Sequence, residues 1–316
     1  MSDDSIPPIL RIPVEITAKI FTHCVPDPAS VNPGAAPLLL TQICADWRAI
    51  AHSTPTLWNN LHIEVSPSPT PRTHPAAVSA YLARSAACPL QISVDARGAF
   101  PSGLAAAVIA HAARWRRLRL HIRRADMAAL LCVQGPFPML TSVNIDVYER
   151  GRGEPWTADI PLLRAPGLRF AYLSVDFGGY LSLAGGRIGA AVEGLDYTVG
   201  EDVQGELRVI FGLRRLRRLR LGAWNTLPDG VRPMDSSSLG TCRWKTTLQT
   251  LELHDAAWLP SALVLPSLTA LTVKRVSTWA GAAEQLPTLQ KFLSTNGSRL
   301  TELVLSIDGG ESRCLL

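Results

Sequence analysis

A recurring apolar spacing along most of the chain constrains its fold more than any other feature. The unit is an apolar residue, two variable residues, an apolar residue, one variable residue and a further apolar residue, as in Leu216, Leu219 and Leu221. Such units begin at Trp115, Leu140, Phe170, Val192, Leu216, Leu248, Leu268 and Leu300. Alternate residues of a β-strand point to opposite faces, so each unit predicts a short strand with one buried face.

The units predict strands that pack side by side, because a single unit cannot bury its own apolar residues and neighbours must share a core. Turn-forming residues such as Gly135-Pro136 separate the units. The pattern resembles the leucine-rich repeat, which implies parallel strands along one face of a solenoid. The spacing is irregular, from 20 residues (Leu248 to Leu268) to 32 residues (Leu216 to Leu248), so the array is degenerate. A compact α/β domain with a parallel sheet is the alternative interpretation.

The strand alternation also predicts which side chains face solvent and could bind a target. These are Arg117, Arg119, His121, Tyr172, Arg218, Arg220, Glu252 and His254. The four arginines form two basic pairs that suit an acidic or phosphorylated target segment, because a planar guanidinium can hold a carboxylate or phosphate through two hydrogen bonds. The alternative is that each arginine pairs with an acid on a neighbouring strand or is simply solvated.

The N-terminal segment predicts short helices with apolar faces. Pro13 suits the first helical position, where its missing N–H is not needed, and Ile12, Ile16 and Ile20 recur every fourth residue. Pro37 starts a second predicted helix, whose apolar residues at spacings of three and four include Leu39, Leu40, Ile43 and Trp47. A unit this small buries little by itself, so its apolar excess predicts a surface covered by the rest of the chain or by another protein.

These N-terminal residues resemble an F-box, specifically the F-box-like form of mushroom-forming fungi. The resemblance covers about residues 6–63 and is carried by Ile12-Pro13, by the segment 37–48 and by Ser53-Thr54-Pro55-Thr56-Leu57-Trp58. It implies docking to the Skp-type adaptor of a cullin-based ubiquitin ligase. The residues that would contact the adaptor are Ile12, Pro13, Ile16, Ile20, Leu39, Leu40, Ile43 and Trp47.

The predicted organisation has three parts: a helical F-box-like module at 6–63, a Pro-rich connector at 64–80 and a repeat domain at 81–316. The connector rests on the four prolines between Val65 and Ala76, which exclude a helix or a central strand. The predicted fold class is therefore α/β, a short helical module followed by an irregular solenoid with parallel strands, similar to leucine-rich repeats.

Composition and motifs argue against several other classes of protein. The sequence has no GxSxG, HExxH, Walker A or GxGxxG motif, so we expect no enzyme. None of the six cysteines forms a CxxC pair, so we expect neither metal nor cofactor. No apolar run is long enough for a membrane span, and the acidic start Met1-Ser2-Asp3-Asp4 is unlike a secretory signal, which favours the cytoplasm or nucleus.

The function expected from the sequence is a non-catalytic substrate-recognition subunit of an SCF-type ubiquitin ligase. The module would hold the adaptor and cullin scaffold, and the repeat domain would hold an unknown target. One alternative is a repeat-domain scaffold whose helices only cap the array. Another is a nucleic-acid-associated protein, since the net charge is +5, although the sequence contains no recognisable nucleic-acid-binding module.

Overall fold

A computed structural model of the chain describes residues 8–66, 73–131, 133–148, 160–175, 183, 188–199, 203–223, 247–254, 264–276, 282–307 and 310–315. The described residues form an α/β structure in which parallel strands alternate with helices and turns, so the prediction of parallel strands is confirmed. The chain divides into two compact units, residues 1–140 and 141–316.

The first unit begins with short helices. They are a 3-10 helix at Pro8–Arg11, α1 (Val14–Cys24), α2 (Leu40–Ile43), α3 (Ala45–His52) and a 3-10 helix at Pro55–Trp58. The Pro13 carbonyl accepts the backbone N–H groups of Ile16 and Thr17, so Pro13 is the N-cap of α1 and lies one residue before the first helical residue, Val14, although the sequence predicted it to be the first helical residue itself.

The second predicted helix is in fact two helices. Cys44 is extended, with φ −154° and ψ 174°, and it separates α2 from α3. Its Sγ accepts the backbone N–H of Trp47 at 3.4 Å and so caps the N-terminus of α3. The apolar spacing continues across this break, which is why the sequence pattern alone predicted one helix.

The rest of the first unit alternates strands and helices. These are β1 (Asn60–Val65), α4 (Pro75–Arg84), β2 (Leu90–Ala96), α5 (Ser102–Ile109), a 3-10 helix at Ala112–Arg114, β3 (Trp115–Arg123) and α6 (Arg124–Leu131). β2 pairs in parallel with both β1 and β3, which places the buried Leu61, Ile92 and Leu118 side by side. The predicted connector at 64–80 overlaps both the end of β1 and the start of α4.

Trp58 joins the N-terminal helices to the first strand. Its indole Nε1 donates to the Ala51 carbonyl at 2.8 Å, and its ring lies 5.1 Å from that of Tyr81 on α4. The Tyr81 hydroxyl donates to the Asn60 carbonyl at 3.1 Å, and the Arg84 guanidinium lies 4.7 Å from the Trp58 ring centroid. The helices and the first strands therefore share one core.

The second unit is a run of paired strands. Its elements are β4 (Ser142–Tyr148), a 3-10 helix at Pro161–Arg164, β5 (Phe170–Val175), β6 (Gly194–Val199), α7 (Val203–Phe211), β7 (Arg218–Ala223), β8 (Thr250–His254), β9 (Ala270–Val276), α8 (Ala282–Asn296), a 3-10 helix at Gly297–Arg299, β10 (Glu302–Ile307) and β11 (Gly310–Leu315). Each strand from β4 to β10 pairs in parallel with the next. β11 pairs antiparallel to β10, an arrangement that the sequence did not predict.

The strand register places most of the predicted apolar positions opposite one another and corrects one unit. Leu219, Leu251 and Leu271 lie opposite one another and are buried, whereas the equivalent Leu303 is only half-buried. Phe170 does not begin its unit, because Ala171 takes the inward position and the Phe170 side chain is 36% exposed. A small residue at an inward position disguised the phase of this strand in the sequence.

Candidate functional site

Helix α1 divides its apolar side chains between two sides. Phe21 is 1% exposed, and its ring centroid lies 4.9 Å from that of Trp47 on α3. Ile16 and Ile20 are 50% and 44% exposed and lie one helical turn apart on a different side of α1. The helix is therefore anchored by Phe21 and presents isoleucine to solvent.

Exposed apolar side chains are concentrated near the N-terminus. Six of the eight large apolar side chains that the described residues expose lie between Ile9 and Ile43. We name them the N-terminal apolar set: Ile9, Val14, Ile16, Ile20, Leu39 and Ile43. Single exposed apolar residues are ordinary, whereas six of them within one short helical segment are an apolar surplus that a partner could cover.

The residues predicted to bind the adaptor fall into three groups. Pro13, Ile16, Ile20, Leu39 and Ile43 are exposed, and Ile12 and Trp47 are half-buried. Leu40 differs from the others, because its side chain is buried beneath this surface, and its contact with an adaptor stays a prediction. Sequence reasoning missed Ile9 and Val14, which precede and begin α1 and do not belong to its four-residue spacing.

The side chains of β1–β3 alternate between a buried face and a more exposed face, which we call the open face. The open face carries the first predicted basic pair. Arg117 and Arg119 are exposed and lie beside Gln91 and Ser93 in register. The Arg117 Nη1 donates to the Gln91 Oε1 at 3.4 Å. His121 is already engaged, because its Nδ1 lies 3.0 Å from the Asp95 Oδ1.

The two arginines of the second predicted basic pair, Arg218 and Arg220, have different contacts. Arg220 contacts Asp196 at 3.2 Å on one side and Glu252 at 3.2 Å on the other, and Glu252 also contacts Lys274 at 2.8 Å. These cross-strand ion pairs, each contributing about 0.2–1 kcal/mol when exposed, neutralise Arg220 and Glu252. Arg218 has a different environment, since its guanidinium lies 5.4 Å from the Phe170 ring centroid.

Tyr172 and His254 complete the predicted target-binding residues. Tyr172 is half-buried, and burial, aided by the carboxylates of Asp146 and Asp196, raises its pKa despite opposing effects of Ser174 and Arg220. Its phenol is therefore neutral at ordinary pH. His254 ends β8 opposite Gly222 and Lys274, and only its backbone is described.

The side chains at these surfaces are apolar on the first helices and mostly polar on the exposed strand faces. Within the described ranges, no group of three His, Cys, Asp or Glu side chains is arranged to hold a metal ion. Among the helices that the structure describes, none combines the length and apolarity needed to cross a membrane.

No known protein family matches this chain, and no curated protein sequence matches it either.

Proposed function

We propose that this chain is a non-catalytic substrate receptor of a cullin-based, SCF-type ubiquitin ligase. The N-terminal apolar set would dock a Skp-type adaptor, and the array of parallel strands, similar to a degenerate leucine-rich repeat, would hold the target. The observation that carries the proposal is the exposure of Ile16, Ile20, Leu39 and Ile43 on and beside two short helices that bury Phe21 and Leu40.

The physical argument concerns apolar surface that the chain leaves in water. Burying one aliphatic side chain of this size contributes about 1.5–3 kcal/mol. Ile16 and Ile20 contribute little of this burial energy to the folded chain, because they stay largely exposed while Phe21 makes the contact with Trp47. A partner with an apolar groove would bury them and thereby gain affinity.

The proposed mechanism is proximity. The receptor performs no chemistry, and it raises the concentration of the target near the ubiquitin-charged enzyme by holding both on one assembly. Polar open faces on parallel strands suit the target side of this task, because loops and strand faces can vary without disturbing the shared core.

The experiment is a binding assay between the purified chain and a Skp-type adaptor. Ile16→Asp, combined with Ile20→Asp, places charges in the proposed dry interface. An unpaired amide or hydroxyl group already costs about 2–7 kcal/mol in an apolar environment, and an unpaired carboxylate costs more. We expect adaptor binding to be lost. Thr22→Asp is the matched control, because Thr22 is exposed on another side of the same helix and receives the same residue.

Thermal unfolding of the variants verifies that they are folded. If the folded double variant binds the adaptor as well as the Thr22→Asp control does, the N-terminal apolar set is not the docking surface.

A repeat-domain scaffold is the second candidate, and one contact favours it. Trp58 packs against Tyr81 and donates a hydrogen bond to the Ala51 carbonyl. These contacts join the N-terminal helices to the first strands, as is expected of helices that cap the strand array. The same binding assay separates the two functions, because a scaffold whose helices only cap the strands would bind no adaptor even as the unmodified chain.

A further inference from the structure

Four exposed arginines lie together at the entry to β7. Arg214 and Arg215 occupy the centre of a turn closed by the Leu216 N–H, which donates to the Leu213 carbonyl at 3.2 Å. Arg217 follows the turn, and Arg218 is the first residue of β7. We name Arg214, Arg215, Arg217 and Arg218 the arginine cluster.

Within the part of the chain that the structure describes, no carboxylate forms an ion pair with the arginine cluster. Glu193 is close in the strand ladder, since its carbonyl accepts the N–H groups of Arg217 and Arg218 at 2.8 and 3.0 Å. Its carboxylate, however, is held by Arg169, whose Nη2 lies 2.9 Å from both oxygens. The cluster therefore carries uncompensated positive charge, in contrast to Arg220.

An exposed aromatic ring adjoins the cluster. Phe170 and Arg218 flank Gly194 in register, and the Arg218 guanidinium lies 5.4 Å from the Phe170 ring centroid. Gly194 has no side chain to separate them, and a Cβ there would lie 2.9 Å from the Phe170 Cδ1. Aromatic residues and arginine are the side chains most enriched where proteins bind one another tightly.

We propose that the arginine cluster and Phe170 bind an acidic polypeptide segment, with carboxylates on the guanidinium groups and an apolar side chain against the Phe170 ring. Charge complementarity selects this occupant, because arginine holds carboxylates in two-pronged contacts that also fix their orientation. That the segment belongs to a ubiquitination target rests on the proposed function, whereas the binding itself does not.

A protein segment fits this surface better than a nucleic acid does. Single-stranded nucleic acids bind along basic grooves in which several aromatic rings stack on successive bases. Among the described residues of this row, the one ring is that of Phe170, which is shared with Arg218 and is followed on the next two strands by Thr250 and Ala270. Such a surface offers one apolar contact beside several charges.

The test measures fluorescence anisotropy of a labelled peptide of alternating Glu and Leu against the purified full chain. Arg217→Gln combined with Arg218→Gln should weaken binding about tenfold or more at low salt and flatten its salt dependence. The control is Arg208→Glu, which changes the net charge equally at an exposed position on α7 and should leave affinity within about twofold. Phe170→Ala should weaken binding without changing the salt dependence.

The proposal is overturned if Arg208→Glu weakens peptide binding as much as the double variant does, since only net charge would then matter. It is also overturned if a short single-stranded RNA binds more tightly than the peptide and loses binding in the double variant. The peptide measurements do not use the adaptor, so an unmodified chain that binds the adaptor but not the peptide rejects this proposal alone. The reverse pattern rejects the ligase proposal alone.

Discussion

Phe21 and Trp47 are in ring contact, with centroids 4.9 Å apart and planes inclined by 60°. This contact fixes α1 against α3 through one side of α1 and leaves Ile16 and Ile20 in water. Apolar residues of the same helix therefore have two different roles. Phe21 stabilises the folded chain, and the two isoleucines remain available to a partner.

The first prediction separates these two roles by stability. Phe21→Ala should lower the free energy of unfolding by about 3–5 kcal/mol, because it removes a buried ring and leaves a cavity. Ile16→Ala should lower it by less than about 1 kcal/mol, since surface substitutions rarely cost more. Urea unfolding measures both, and an Ile16→Ala cost equal to that of Phe21→Ala would show that Ile16 is packed in the folded chain.

Periodicity could predict the parallel strands and the apolar helix segments, but it could not assign the sides of α1. A spacing of four identifies a stripe, and only the contact between Phe21 and Trp47 decides which stripe is buried. The same limit applies to Leu40, which is buried although it belongs to the same run as the exposed Leu39 and Ile43.

The chain has two arginine-rich runs, at 114–119 and 214–220, and they were harder to interpret, because neighbouring arginines take different roles. The alternation predicted solvent-facing positions for Arg218 and Arg220, yet Arg220 is paired with Asp196 and Glu252 from neighbouring strands. Strand register, which brings together residues at least 24 positions apart, decides such pairing, and one sequence does not reveal it. Arg114 belongs to the first basic run and has a structural role that the run does not show.

The second prediction concerns Arg114, which closes the C-terminal end of α4. Its Nη1 donates to the Ser85 Oγ at 2.9 Å, to the Cys88 carbonyl at 3.2 Å and to the Ala86 carbonyl. Its Nη2 donates to the Leu82 carbonyl at 3.3 Å. Arg114→Gln should lower the free energy of unfolding by about 1–3 kcal/mol, because the carbonyls lose their donors.

Arg119→Gln is the matched control for Arg114→Gln, since Arg119 is an exposed arginine in the same run. Its expected effect is within about 0.5 kcal/mol. Equal effects of the two substitutions in urea unfolding would mean that Arg114 acts only through its charge.

The third prediction tests the packing of Phe170 against Gly194. Gly194→Ala should destabilise the chain, because the new methyl group would lie 2.9 Å from the Phe170 Cδ1 and force the ring to move. In a Phe170→Ala background the same substitution should be nearly neutral. A double-mutant cycle should therefore give a coupling of about 0.5–3 kcal/mol. Additive effects would show that the ring does not lie over Gly194.

The fourth prediction concerns acid and begins from His111. Burial, followed by the positive charge of Arg114, holds the pKa of His111 below its ordinary value of 6.5. The Arg114 Nη2 lies 3.2 Å from the His111 Nδ1, and a guanidinium can only donate, so this nitrogen accepts in the neutral ring. Protonation of Nδ1 would remove the acceptor and place two positive charges side by side.

The sign of the pH effect follows from the direction of this shift. A histidine whose pKa is lowered by folding binds protons more readily in the unfolded chain, so stability is complete above pH 6.5 and falls as the pH drops below it. Urea unfolding at about pH 7.5 and about pH 5.5 should show this loss. His111→Asn keeps an acceptor that cannot be protonated, so the loss should be smaller. The pKa of His52 is also lowered, by burial and by Arg84 and Arg48, so part of the loss should remain. An unchanged loss in His111→Asn would show that His111 does not contribute.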